Sequence, residues 1–141
     1  MLCTPQIELP ITSPADRLKV GYIRIRVYDN QTALNGRFGN LLDRIPFKWS
    51  YPLGVLEDLF VGADKRRRGY GRLGLRLADE AFRNRHVRTG VLKIGWSNDE
   101  KWDEAKAWKT EVYAKSGWIR LQWKFPEPVF MAKNYPLVPS D

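Results

Sequence analysis

Leu56-Glu57-Asp58-Leu59-Phe60-Val61, followed by Arg66-Arg67-Arg68-Gly69-Tyr70-Gly71, is the stretch whose reading decides the fold. The first six residues are apolar at alternate positions, the pattern of a half-buried strand. Beyond the glycines, Leu73, Leu77 and Ala81, with Ala78 and Phe82, recur three and four residues apart, which predicts one face of a helix. Two glycines at a strand-to-helix turn let the backbone pass close to a ligand. The first N–H groups of the helix then point at that ligand, with the positive end of the helix dipole behind them. Such a turn suits a pyrophosphate.

The spacing separates this turn from two better-known phosphate sites. No Gly-Lys-Ser/Thr follows, so it is not the nucleotide phosphate loop. Gly69, Gly71 and Gly74 nearly reproduce the dinucleotide pattern Gly-x-Gly-x-x-Gly, but the next strand-like run, Val91 to Trp96, ends without an acid. No second βαβ unit follows, so the dinucleotide reading is the poorer one.

With these residues in place, the chain resembles the GNAT superfamily of acyl-coenzyme A-dependent N-acyltransferases. Arg66, Gly69 and Gly71 match the family pattern Arg/Gln-x-x-Gly-x-Gly/Ala, and Leu56 to Val61 looks like its fourth core strand. Downstream, Tyr113-Ala114-Lys115-Ser116-Gly117-Trp118 resembles Tyr-x-x-x-Gly-Phe with Trp in place of Phe, and Phe130 to Lys133 is similar to the closing strand. The pieces keep the family order over residues 53 to 134. The resemblance implies an α/β (α+β) fold: a mixed, mostly antiparallel central sheet flanked by helices and splayed between the fourth and fifth core strands.

The same resemblance implies a chemistry: transfer of acetyl from acetyl-CoA directly to a primary amine. The pantetheine arm would add to the fourth strand through main-chain hydrogen bonds, with Phe60 and Val61 as the pairing positions. Backbone N–H groups from Arg68 through Gly69, Tyr70, Gly71 and Arg72 would hold the pyrophosphate, with the side chains of Arg66, Arg67, Arg68 and Arg72 screening its charge. A backbone N–H near Val61 would polarise the thioester carbonyl. Tyr113 matches the family's general acid; a phenol of ordinary pKa about 10 suits a thiolate leaving group. Strand alternation lets only one of Glu57 and Asp58 face the cleft; the resemblance favours Glu57 as the base, since the family often has a carboxylate acting through water nearby. Asn98 joins the cofactor residues, although it precedes Tyr113 by 15 positions, 98 to 113, so an extra loop or longer helix intervenes. The alternative is a basic RNA- or protein-binding module that keeps the GNAT fold without transfer.

Composition agrees with a single domain over residues 1–141, with residues 1–52 as a short or atypical acceptor region. The 141 residues are 43% hydrophobic and 28% charged, ordinary values for a globular chain. No apolar run reaches membrane-spanning length, and the start, Met1-Leu2-Cys3-Thr4-Pro5, lacks the features of a secretory signal. One Cys and one His make a structural zinc site untenable, so no metal is expected, and the lone Cys3 fits a reducing cytoplasm. Net charge is +8. Arg66, Arg67, Arg68 and Arg72 account for half of it at the turn; the rest leaves nucleic acid open as a partner or acceptor. The acceptor itself (small molecule, protein or aminoacyl-tRNA) and a homodimer are also open.

Elsewhere the pattern predicts a short strand near Ile7 to Leu9 and an alternating strand over Lys19 to Tyr28, with Ile23, Ile25 and Val27 on one face and Arg24 and Arg26 on the other. Residues 35–49 read as loop with room for one strand near Ile45 to Trp49. The first helix should run from Tyr70 to near Arg88, ended by Gly90, with His86 at its surface end. The second, capped by Ser97 or Asn98, has Trp102, Ala105, Trp108 and Val112 as its apolar stripe and closes at Gly117. Ile119, Leu121, Trp123 and Phe125 should then face inward along a strand, before a return over Val129 to Lys133.

Overall fold

A computed structural model describes residues 5–30, 47–65, 69–94, 102–121 and 129–136. The elements run β1 (Ile7–Thr12), β2 (Lys19–Tyr28), β3 (Leu53–Val61), a 3-10 turn (Ala63–Lys65), α1 (Tyr70–Asn84), β4 (Thr89–Lys93), α2 (Trp102–Lys115), β5 (Ile119–Arg120) and β6 (Phe130–Asn134). They build one six-stranded sheet of order β1-β2-β3-β4-β6-β5. Every neighbouring pair is antiparallel except β3 and β4, which α1 joins as a parallel crossover. The mixed, mostly antiparallel sheet is thus observed. No helix among the described residues is long and apolar enough to cross a membrane.

Alternation along the strands divides the core into two clusters on opposite faces. One holds Ile23, Ile25, Leu56, Leu92, Ile94 and Met131 together with Leu75, Ala78 and Phe82 of α1 and Tyr113 of α2. The other holds Tyr28, Leu53, Val55, Val91, Phe130 and Ala132, with Phe47, Trp49 and Tyr51 packed on it. The buried stripe of α1 is centred on Leu75, Ala78 and Phe82, so Leu73 and Leu77 lie at its margins. Leu75 and Phe82 are wholly buried; each adds about 1.5–3 kcal/mol from apolar burial. Gly74 sits where a Cβ would come within 2.8 Å of Ile11 Cδ1 and 3.1 Å of Leu59 Cδ1, so its hydrogen lets α1 lie close against β1 and β3.

Three expectations need correction. The first helix stops at Asn84, not near Arg88: His86 takes the left-handed conformation (φ 59°), His86 N–H donates to Arg83 C=O, and Val87 N–H donates to Phe82 C=O at 3.0 Å. This Schellman closure normally uses glycine, and Gly90 instead lies within β4, packed against Trp118, Tyr135 and Phe82. Ile119 does not face inward but is 58% exposed, because β5 is a two-residue edge strand; Leu121 is buried as expected. Residues 47–50 form no strand. The second helix does close at Gly117 (φ 94°), where Trp118 N–H donates to Tyr113 C=O at 3.1 Å. Trp123 and Phe125, and the side chains of Trp102, Ala105 and Trp108, lie outside the described residues.

Behind α1, a polar cluster fixes the helix to the sheet. Lys133 Nζ donates to Asp79 Oδ2 at 2.9 Å and to Ser116 C=O at 2.9 Å, while the Tyr135 hydroxyl donates to Asp79 Oδ1 at 2.6 Å. Burial, then the Asp79 carboxylate beside it, pushes the Tyr135 phenol far above its ordinary value.

Candidate active site

The parallel ladder between β3 and β4 ends early. Its last pair is Leu56↔Leu92, yet β3 continues to Val61. Past that point each strand stays with its outer neighbour: Gly62 N–H donates to Val20 C=O at 2.9 Å, and Ile94 N–H donates to Val129 C=O at 2.9 Å. The two central strands therefore part company, opening the sheet beside Leu59 to Val61.

Which backbone groups face that opening follows from the antiparallel ladder, in which successive residues point to opposite sides. Gly62 turns toward β2, and so does Phe60, whose carbonyl a Cβ on Gly21 would strike. Leu59 and Val61 therefore direct their backbone groups to the β4 side. Phe60 and Val61 had been assigned together as pairing positions. The register gives that geometry to Val61 and Leu59, while Phe60 offers its ring, 40% exposed and stacked on Tyr22 at 5.4 Å.

The register also shifts within β3. Arg24 pairs with Asp58 and Ile25 with Leu56, so Glu57 is an extra residue opposite no partner, a β-bulge. The bulge cancels the alternation that should have sent Glu57 and Asp58 to opposite faces. Glu57 Oε1 accepts from Arg26 Nε at 2.5 Å and from Gln6 Nε2 at 3.1 Å. Asp58 Oδ2 lies 3.5 Å from Arg24 Nη1, and Arg24 Nε also donates to Glu8 Oε1 at 2.9 Å. Both carboxylates thus lie on the face that carries the β2 arginines, away from α1. No property of residues 56–61 alone announces this, because a bulge is a relation between two strands.

The turn into α1 behaves as its glycines suggest. Gly69 is the N-cap with φ 85°, a left-handed conformation open to glycine, and no side chain caps the helix. The first bond of the helix runs from Leu73 N–H to Gly69 C=O at 3.2 Å, so the N–H groups of Tyr70, Gly71 and Arg72 have no helical acceptor. No acid stands in the first turn, and a Cβ at Gly69 or Gly71 would meet nothing within 4 Å. The end of α1 is open, positive and lined by backbone donors, and it fits a phosphate ester. Tyr70 contributes its N–H alone: its hydroxyl turns back to Ser13 Oγ at 3.3 Å and its ring packs on the core. Arg72 is exposed. Arg66, Arg67, Arg68 and Asn98 lie outside the described residues.

Tyr113 lies in the last turns of α2, 8% exposed, in the cluster that includes Leu56 and Leu92, the residues that close the ladder below the gap. Its carbonyl anchors the helix closure through Trp118 N–H. Trp118 is 2% exposed, and its Nε1 has no acceptor among the described residues.

No family model matches the chain, and no curated protein matches its sequence. Solved structures do match its fold. The PaiA N-acetyltransferase of Thermoplasma acidophilum, in complex with coenzyme A, superposes with a TM-score of 0.58 at 15% identity over 92% of this chain. This chain spans 61% of that enzyme's length. A putative acyl-CoA N-acyltransferase from Klebsiella pneumoniae gives a TM-score of 0.57 at 20% identity, covering 92% of this chain and 72% of that one. Tetrahymena GCN5 gives 0.55 at 14% identity, covering 94% and 71%.

Proposed function

From a chain that has the GNAT acyltransferase fold, we propose an acyl-CoA-dependent N-acyltransferase that moves acetyl directly to a primary amine. The observation that carries this reading is the conjunction of two features on consecutive elements. The sheet opens beside Leu59 to Val61, and the next helix begins at an uncapped, glycine-built N-terminus. One can take an extended amide-bearing arm; the other can take a diphosphate. Acetyl-CoA contains both, and supplies the acyl group already activated as a thioester.

The residues divide the work as follows. Leu59 and Val61 pair with the arm by strand addition, and the Val61 N–H polarises the reacting carbonyl. The N–H groups of Tyr70, Gly71 and Arg72 bind the diphosphate, with Arg72 and the preceding arginines adding charge. Tyr113 Oη protonates the departing sulfur. A carboxylate on the arginine-bearing face takes the amine proton through water: Glu57, oriented by Arg26, with Asp58 one bulge away as the second candidate.

Acetyl-CoA turnover, followed by thiol release over a panel of primary amines, tests this reading. Amine-dependent release that falls in Glu57→Gln or Asp58→Asn supports it. A purified, folded protein that neither binds CoA nor releases thiol with any amine contradicts it.

A further inference from the structure

The solvent side of α1 carries a charge pattern that, Arg72 apart, acyl transfer does not use. Arg72, Arg76, Glu80 and Arg83 are all exposed at spacings of four, four and three, so they form one line along the helix. Of the two acids on α1 near this line, Asp79 is turned inward to Lys133 and Tyr135, leaving Glu80 alone among the arginines. Among the described residues, none of these arginines forms an ion pair with a carboxylate. Arg83 stands 5.5 Å from the centre of the Tyr135 ring, a contact that leaves its guanidinium donors for a partner.

We propose that this face of α1 binds the phosphate backbone of a nucleic-acid duplex. From Arg72 to Arg83 the helix rises about 16 Å, which matches roughly five base-pair steps along a duplex axis at about 3.4 Å each. Guanidinium groups suit phosphate because their donors match its oxygens in pairs. An acidic protein partner would need an apolar anchor at the centre of its footprint. Among the described residues, the exposed large hydrophobic ones are Leu18, Phe60 and Ile119, none of them on α1. A single strand would need aromatic platforms on which bases stack, and this face has none. The contact is therefore to backbone, independent of base sequence. It does not depend on acyl transfer, and Arg72 alone is shared with the diphosphate site.

The test is fluorescence anisotropy with a labelled 20-base-pair DNA duplex, repeated with the RNA duplex and the single strand, from 50 to 300 mM salt. Each phosphate contact adds about −0.9 to the slope of log K against log salt, so contacts from Arg72, Arg76 and Arg83 predict a slope of about −2.7. Arg76→Gln should shallow it by about 0.9, and Arg76→Gln with Arg83→Gln by about 1.8. CoA affinity should stay at the wild-type value in both, which separates this proposal from the acyltransferase reading. Should the double variant unfold through loss of the Arg83–Tyr135 contact, Arg76→Gln and Arg76→Glu decide alone. Absence of duplex binding at 50 mM salt, tighter binding of the single strand, or a wild-type slope in Arg76→Gln overturns the proposal.

Discussion

Gly71→Ala should make the protein more stable, whereas Gly71→Glu should make its cofactor site worse. Gly71 lies in the first turn of α1, and a Cβ there meets nothing within 4 Å, so the methyl costs no packing. Replacing a helical glycine by alanine restricts the unfolded chain and gains about 0.4–1 kcal/mol. For a domain of this size that is roughly 1–4 °C in Tm. Alanine fits the Gly/Ala position of the turn and should leave the diphosphate in place, but a glutamate side chain there would stand between the diphosphate and the backbone donors and repel its charge. Losing one hydrogen bond to a charged group costs about 1.5–3 kcal/mol, or roughly 10- to 150-fold in Kd. Differential scanning fluorimetry with and without CoA reads both effects. Wild type with CoA at a hundred times its Kd should gain about 2.7 kcal/mol; Gly71→Ala should start higher and respond similarly, whereas Gly71→Glu should respond less. A control comes from Gly74→Ala, whose Cβ would collide with Ile11 and Leu59 and should cost about 1–3 kcal/mol by overpacking. A folded Gly71→Glu protein that binds CoA like wild type would refute the backbone's close approach to the ligand.

Tyr113→Phe should leave CoA affinity intact and lower turnover by about 10²–10⁴-fold; wild-type turnover with chemistry rate-limiting would return the phenol to a structural role. Lys133→Met leaves the Asp79 carboxylate, 13% exposed, without its cation, and denaturant unfolding should show a loss of about 3–5 kcal/mol. The raised Tyr135 phenol sets a pH dependence: its stabilisation is whole below the ordinary phenol value of 10.0 and declines as pH rises above it. Unfolding between pH 9 and 11 should therefore show a loss approaching about 1.4 kcal/mol per pH unit above 10, and Tyr135→Phe should flatten it.

What was legible in the sequence was what short-range pattern encodes. Alternation in Lys19–Tyr28 and Leu56 to Val61, and the three-to-four spacing after Gly71, stated the strand–turn–helix order directly. The left-handed turns at Gly69 and Gly117 were legible because glycine bears that conformation without steric cost. The end of α1 was hidden for the converse reason: His86 adopts a conformation its side chain disfavours, so the nearest glycine, Gly90, drew the boundary too far. The bulge at Glu57 was hidden because register belongs to β2 and β3 jointly, and a single added residue reverses which face each side chain takes. Gly74 looked like part of a ligand motif but serves helix-to-sheet contact, which only the packed neighbours Ile11 and Leu59 reveal.

Backbone amide shifts in uniformly ¹⁵N-labelled protein, followed by two-dimensional NMR as CoA is titrated in, test the central claim most directly. The account predicts saturable shifts at Leu59 and Val61 on β3 and at Gly69, Tyr70, Gly71 and Arg72 at the start of α1, with one common Kd. The amides of Gly62 and Phe60, which face β2, should move less. Shifts confined to other elements, or none at saturating CoA, would contradict it.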